Sequence, residues 1–296
     1  MVHRLKIPWQ RFQSAPIWLR LLGFLAVLAG LWLPLALPLY LWLRADANAT
    51  TIAVMGVLFL NFLVLVRVWG RRVYGRSRPY VAYGLTRSVA NLGDALTGLI
   101  LGLVLPFALF ASLSLLGWLQ WQTPPANLWH VTLAGSLTGL GVGLAEELVF
   151  RGWLLDELER DYRPAIALWV NALIFAILHF IKPLAEVWRT LPQFPGLVLL
   201  ALSLIWGKRA RGDRLGFPIG LHSGLVWGYY IINVGDLIAP TERVSPWLTG
   251  VDGNPLAGGG GLLFLAILAF WLRRQAQRQQ IDANKPPFDD SSRRGR

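Results

Sequence analysis

The stretch IWLRLLGFLAVLAGLWLPLALPLYLWL, about Ile17 to Leu43, decides the fold class. It carries a single charged residue, Arg20, and exceeds the ~20 apolar residues that a helix needs to cross a bilayer. It is too long for a signal-peptide core, and no small-residue cleavage site follows it, so it is expected to stay in the protein. Pro34 and Pro38 are expected to kink or break this helix. Working outward, further apolar runs occupy about Ile52–Trp69, Ala95–Trp118, Val131–Leu155 and Ala165–Ile181. A short sixth run precedes GKRARGDR, a seventh covers about Leu215–Val234 and an eighth about Gly261–Leu272.

Composition agrees with that pattern. Of 296 residues, 55% are hydrophobic and 15% charged, against about 25% charged in soluble domains. Soluble enzymes, disordered chains and fibrous repeats are excluded. The expected architecture is an all-α, polytopic membrane bundle of about eight spans. It forms one domain over residues 1–272, followed by a disordered, cytoplasmic polar tail over 273–296. No internal repeat is visible, which weighs against an inverted-repeat transporter.

The net charge of +12 does not mark a nucleic-acid binder, because Lys and Arg cluster between apolar runs. Alternating eight spans puts the clusters at 4–20, 71–87, 160–163, 208–214 and 273–296 on one side. The opposite loops hold Arg44, Lys182, Arg189 and Arg243. By the positive-inside rule both termini are cytoplasmic. A bacterial inner membrane is the simplest location. Zero cysteines exclude disulfides, cysteine nucleophiles and thiolate metal sites. The fifteen tryptophans read as packing and interfacial belt residues.

Ionisable groups inside apolar helices carry the functional information, since each costs at least ~2.5–3.5 kcal/mol to insert. The fourth run contains AEELVFRGW with Glu146, Glu147 and Arg151, the fifth FAILHF with His179, and the seventh GLHSGLVWGYY with His222. Glu147 and Arg151 stand at i and i+4 with the acid first, the favourable order for an ion pair. Glu146 points about 100° away without a cationic partner on its own helix. Burial and repulsion between adjacent carboxylates should favour protonation of one of them, which makes Glu146 the candidate general base. His179 and His222, taken singly, read as helix–helix hydrogen-bonding residues. Together with Glu146 they make either a His2Glu metal set, Zn2+ for example, or a metal-free water-activating site. Both versions hydrolyse an amide in or beside the membrane.

These residues also carry a resemblance. EELVFR (Glu146–Arg151) resembles the EExxxR motif of the CAAX-protease and bacteriocin-processing (Abi, CPBP) family of intramembrane proteases. FAILH (Phe175–His179) resembles its FxxxH motif, and His222 the histidine that opens its third motif. The resemblance covers about residues 127–233. It implies a helical membrane fold with its site inside the bundle, open towards the cytoplasmic side. It further implies that Glu146 and His179 act on water, that Arg151 orients the glutamates and that His222 stabilises the oxyanion. It leaves the metal open. One departure is Val226, where many members place Asn or Asp. An oxyanion donor is worth ~2.7–4 kcal/mol, and Asn171 or Ser223 could stand in for it.

One demand follows for the structure. Glu146 lies near the expected end of the fourth span, so His179 would sit ~22 Å deeper if the fifth began at the surface at Pro164. Part of Leu154–Arg163 must therefore dip into the bundle, or the helices must tilt strongly. The expected activity is that of an intramembrane endopeptidase acting on a membrane protein or peptide. The rivals are a non-proteolytic scaffold or immunity-type protein and, behind it, a proton-coupled transporter.

Overall fold

Each of the eight apolar runs forms a helix in the computed structural model, which describes residues 9–283. In chain order these are α1 (Ile17–Leu43), α2 (Ala47–Arg72), α3 (Val89–Leu115) and α4 (Leu128–Glu147). A π-helical turn (Leu148–Leu154) joins α4 to α5 (Leu155–Asp161) without a break, and α6 spans Pro164–Leu178. Then come α7 (Leu184–Thr190), α8 (Phe194–Arg209), α9 (Gly216–Val234) and α10 (Gly259–Ala283). The runs through α1, α2, α3, α4–α5 and α7–α8 are long and apolar enough to cross a bilayer, and α6 is a shorter apolar helix. The chain is an integral, multi-pass membrane protein. Its lipid-facing surface is apolar, with Leu22, Leu33, Leu60, Leu133 and Leu137 all exposed.

Several boundaries differ from the sequence reading. Helix α1 is continuous through Pro34 and Pro38. Helix α10 runs on to Ala283, because RRQAQRQQ is made of good helix formers. The expected disordered tail therefore begins as helix, and its remainder, 284–296, lies outside the described residues. Two short strands, β1 (Leu119–Trp121) and β2 (Ile238–Pro240), pair antiparallel in loops that had shown no strand pattern.

The core is built around α9, which lies parallel to α3 and antiparallel to α4. Its glycines make this approach possible. A Cβ at Gly220 would collide with the carbonyl of Ala95, and one at Gly224 with that of Leu99. On the other side, a Cβ at Gly143 of α4 would run into Ser223. Small residues four apart let helix backbones touch in lipid, where packing replaces the hydrophobic effect. His222 stands between Gly220 and Gly224, so this contact fixes its place.

The second architectural device is the acidic segment DELERD, which the sequence reading placed after the fourth span. It continues the helix as α5 and docks inside the bundle, with Leu155, Glu157 and Leu158 buried. Arg20 of α1 holds Glu157 at 3.0 Å and Asp161 at 3.0 Å, and Asp161 also accepts from the Ile17 amide. The Tyr74 hydroxyl donates to Glu157 at 2.7 Å, and Arg76 pairs with Asp156 at 3.0 Å. Burial, and then the Glu157 carboxylate beside it, push the Tyr74 phenol well above its usual value.

This docking meets the depth demand. Glu146 lies fifteen residues before Asp161 and His179 fifteen after Pro164, so both sit about 20 Å from the same turn. Helix α6 stops there, whereas α4 continues for about 27 Å to Leu128 at the opposite end.

Two measurements check the frame. Breaking a buried ion pair costs about 3–5 kcal/mol, so Arg20→Ala should unfold well below wild type in a thermal melt. The chain has no cysteine, so Arg87→Cys and Ala45→Cys each give one reactive thiol. An impermeant maleimide should reach Ala45→Cys in sealed cells and Arg87→Cys only after permeabilisation; the reverse pattern would invert the orientation.

Candidate active site

Glu147 is fully buried and its Oε1 accepts two hydrogen bonds. One comes from Arg151 Nη1 at 2.9 Å and the other from His222 Nδ1 at 2.8 Å. Arg151 is fully buried too, with its guanidinium carbon 4.3 Å from the centre of the Phe175 ring. The ion pair expected from the i, i+4 spacing is present, and His222 joins it from α9. Because a carboxylate can only accept, Nδ1 of His222 carries the proton. The other nitrogen, Nε2, points towards Glu146 Oε2 at 3.9 Å.

Glu146 differs from its neighbour in environment. Its side chain is 31% exposed, against 0% for Glu147. Its Oε2 makes no hydrogen bond among the described residues. His179 is the C-cap residue of α6, with Nδ1 2.8 Å from the Phe175 carbonyl of the preceding turn. A carbonyl accepts, so this bond places the proton on Nδ1 and leaves Nε2 as the free basic nitrogen. The Phe175 ring stands between the two imidazoles, 4.6 Å from His179 and 6.2 Å from His222.

Glu146, His179, His222 and Phe175 line one cavity of about 320 Å³. Its remaining wall is mostly aliphatic, from Leu105 and Leu109 of α3, Leu197 and Leu200 of α8, and Leu265 and Leu268 of α10. Where α6 ends, nothing from that helix covers α4, and Leu140 and Leu144 face outward beside Glu146. The cavity reaches from the ionisable cluster towards Gln193, Tyr229 and the loop Asn254–Leu256. Those residues lie at the Arg- and Lys-poor end. The resemblance had implied access from the basic end, where α5 packs with Arg20, Tyr74 and Arg76.

Three polar side chains of the lining, Gln193, Tyr229 and Asn254, were missed by the sequence reading. Gln193 lies on a turn and Asn254 in a loop, where no periodicity marks them; Tyr229 lies within α9 two turns after His222, a helical spacing that could have found it. The Tyr229 hydroxyl contacts the Gly253 carbonyl at 3.3 Å, and Asn254 caps the turn that follows it. Val226 also lines the cavity, and neither suggested substitute does. Asn171 donates to the Phe150 carbonyl at 2.7 Å, and Ser223 faces Gly143.

Among the described residues no three His, Asp or Glu side chains form a group that could hold a metal ion. In both histidines Nδ1 is engaged, by the Phe175 carbonyl in His179 and by Glu147 in His222, which leaves each Nε2 unbonded.

The span from α4 to β2 carries all of these residues and is the part of the chain with known relatives. Residues 128–241 match the family model described as type II CAAX prenyl endopeptidase Rce1-like. No curated protein and no solved structure matches the chain. The resemblance read from EELVFR, FAILH and His222 is therefore to the family that the match names. The matched family is one of CAAX prenyl endopeptidases, and the match covers the span that carries those motifs.

The two glutamates should separate in a stability test. Glu147→Gln leaves Arg151 buried without its counter-ion and should cost about 3–5 kcal/mol, read as a lower unfolding temperature in detergent. Glu146→Gln removes no hydrogen bond and should melt with wild type.

Proposed function

We propose that the protein is an intramembrane endopeptidase in which Glu146, assisted by His179, activates a water molecule. The observation that carries the reading is the division of labour between adjacent carboxylates. Glu147 is fully buried and committed through Oε1 to Arg151 and His222, while the Glu146 side chain is partly exposed, lines the cavity and is bonded to neither. As the oxyanion donor of this reading, His222 acts with a proton on each nitrogen, Nδ1 towards Glu147 and Nε2 towards Glu146 and the cavity.

In this mechanism Glu146 accepts a proton as the water oxygen attacks the carbonyl carbon of the peptide bond. The Nε2 of His179 is a second acceptor for the same water. The Nε2–H of His222 faces the developing oxyanion, held in place by the bond from Nδ1 to Glu147. Collapse of the tetrahedral intermediate breaks the C–N bond, and the proton on Glu146 passes to the leaving amine. Arg151 keeps Glu147 ionised and does not touch the substrate.

The cavity's aliphatic wall suits an extended apolar segment or a lipid-linked peptide end. The substrate is therefore a membrane-anchored protein or peptide, in a bacterial inner membrane with the basic end cytoplasmic. A second reading, a non-proteolytic scaffold that keeps the fold, is favoured by one observation. Val226 lines the cavity one turn after His222 and offers no hydrogen-bond donor.

Wild type and Glu146→Gln, each incubated with solubilised membrane proteins and a peptide library, separate the readings by mass spectrometry. The protease reading expects fragments from wild type, with a loss of at least about 10²-fold in the variant. It also expects cleavage to survive a chelator, and chelator-sensitive cleavage would overturn the metal-free step. Identical fragment patterns from both folded proteins would leave the scaffold.

A further inference from the structure

A buried lysine below the cluster has no part in the mechanism. Lys208, in the last turn of α8, is 6% exposed, and among the described residues no carboxylate pairs with its ammonium. Its Nζ donates instead to the backbone carbonyl of Arg151 at 2.9 Å. A lysine this buried at the basic end of its helix needs a structural reason, because an ammonium taken out of water is costly unless it is hydrogen-bonded.

The carbonyl it meets explains its presence. In an α-helix the Arg151 carbonyl would accept from the Leu155 amide. Here the Leu155 amide is directed to the carbonyls of Gly152 and Phe150, the second being the i→i+5 bond of a π-turn. The two neighbouring carbonyls of this turn receive side chains from other helices, Phe150 from Asn171 of α6 and Arg151 from Lys208 of α8. The π-turn has a mechanical task. Above it, α4 is fixed on α9 by the glycine contact at Gly143; below it, α5 is fixed by Arg20 and Tyr74. The extra residue of the turn reconciles the two fixed faces, and Arg151 lies within it.

We propose that Lys208 is a positioning residue for the cluster. By holding the Arg151 carbonyl it maintains the π-helical register that aims the Arg151 side chain at Glu147, and through Glu147 it sets the orientation of His222. Asn171 supports the same turn from the α6 side. The catalytic consequence rests on the protease reading; the consequence for His222 does not.

The test uses the full chain in lipid nanodiscs. It has four histidines, so 15N-imidazole spectra are simple, and His222→Gln assigns the His222 pair. Lys208→Met should shift the His222 resonances while leaving His130 in place, and Lys208→Arg, which keeps a cationic donor, should restore them. In the cleavage assay Lys208→Met should lose about 10²-fold in kcat, as for a misplaced catalytic group, with KM little changed. Should Lys208→Met fail to fold, Lys208→Gln serves as the second variant and is expected to shift the same resonances. A folded Lys208→Met or Lys208→Gln with wild-type His222 resonances overturns the proposal. If wild type cleaves nothing, the protease reading fails, and the spectra still decide the role of Lys208.

Discussion

The arrangement depends on a single carboxylate oxygen. Glu147 Oε1 accepts from Arg151 on its own helix and from His222 on α9. All three groups are buried among apolar residues, where each charge alone would cost at least ~2.5–3.5 kcal/mol to insert. Only together do they fit, so the contact between α4 and α9 and the protonation of the cluster are one problem. The glycines solve its geometric half, because side chains at Gly139 or Gly143 would push the helices apart. The ion pair solves the electrostatic half. Glu146, one residue earlier, stays free of this bonding because the helix turns it towards the cavity.

The position of the site follows from two helices of unequal length. Helix α6 ends at Leu178, level with Glu146, and presents His179 at its terminus, where the imidazole folds back onto the Phe175 carbonyl. The polar groups are thus gathered at the deep end of a cavity whose upper wall is aliphatic. An apolar substrate segment can occupy that wall while its peptide bond reaches the carboxylate. At the basic end α5 is held by its salt bridges, and the cavity extends from the cluster towards Gln193 and Asn254.

Much of this was legible in the sequence, for specific reasons. Helices announce themselves in lipid-facing apolar runs, and the spacing of Glu147 and Arg151 foretold their pair. The three motifs located the ionisable residues that the fold gathers. What stayed hidden were interactions between distant segments. The depth demand pointed to a dip in Leu154–Arg163 or a strong tilt, but not to what holds DELERD: its partners Arg20, Tyr74 and Arg76 lie more than seventy residues away. Continuing the helix through that segment removed the apparent 22 Å gap. The glycine spacing on α4 and α9 is a sequence signal that could have indicated the close helix contact. The π-turn has no comparable signature, since an i→i+5 bond leaves the residue pattern unchanged.

Val226 gains its meaning from this geometry. A donor missing one turn after His222 matters most if the oxyanion would sit at that depth. The lining contains no donor there except His222 itself, while Gln193 and Asn254 lie further along the cavity. The bond from His222 Nδ1 to Glu147 then carries more of the task. It fixes the orientation of the ring, with Nε2 towards Glu146 and the cavity. A site of this kind depends strongly on whatever keeps Glu147 in register. Register here is set by the π-turn, by the glycine contact above it and by the docked acidic helix below it.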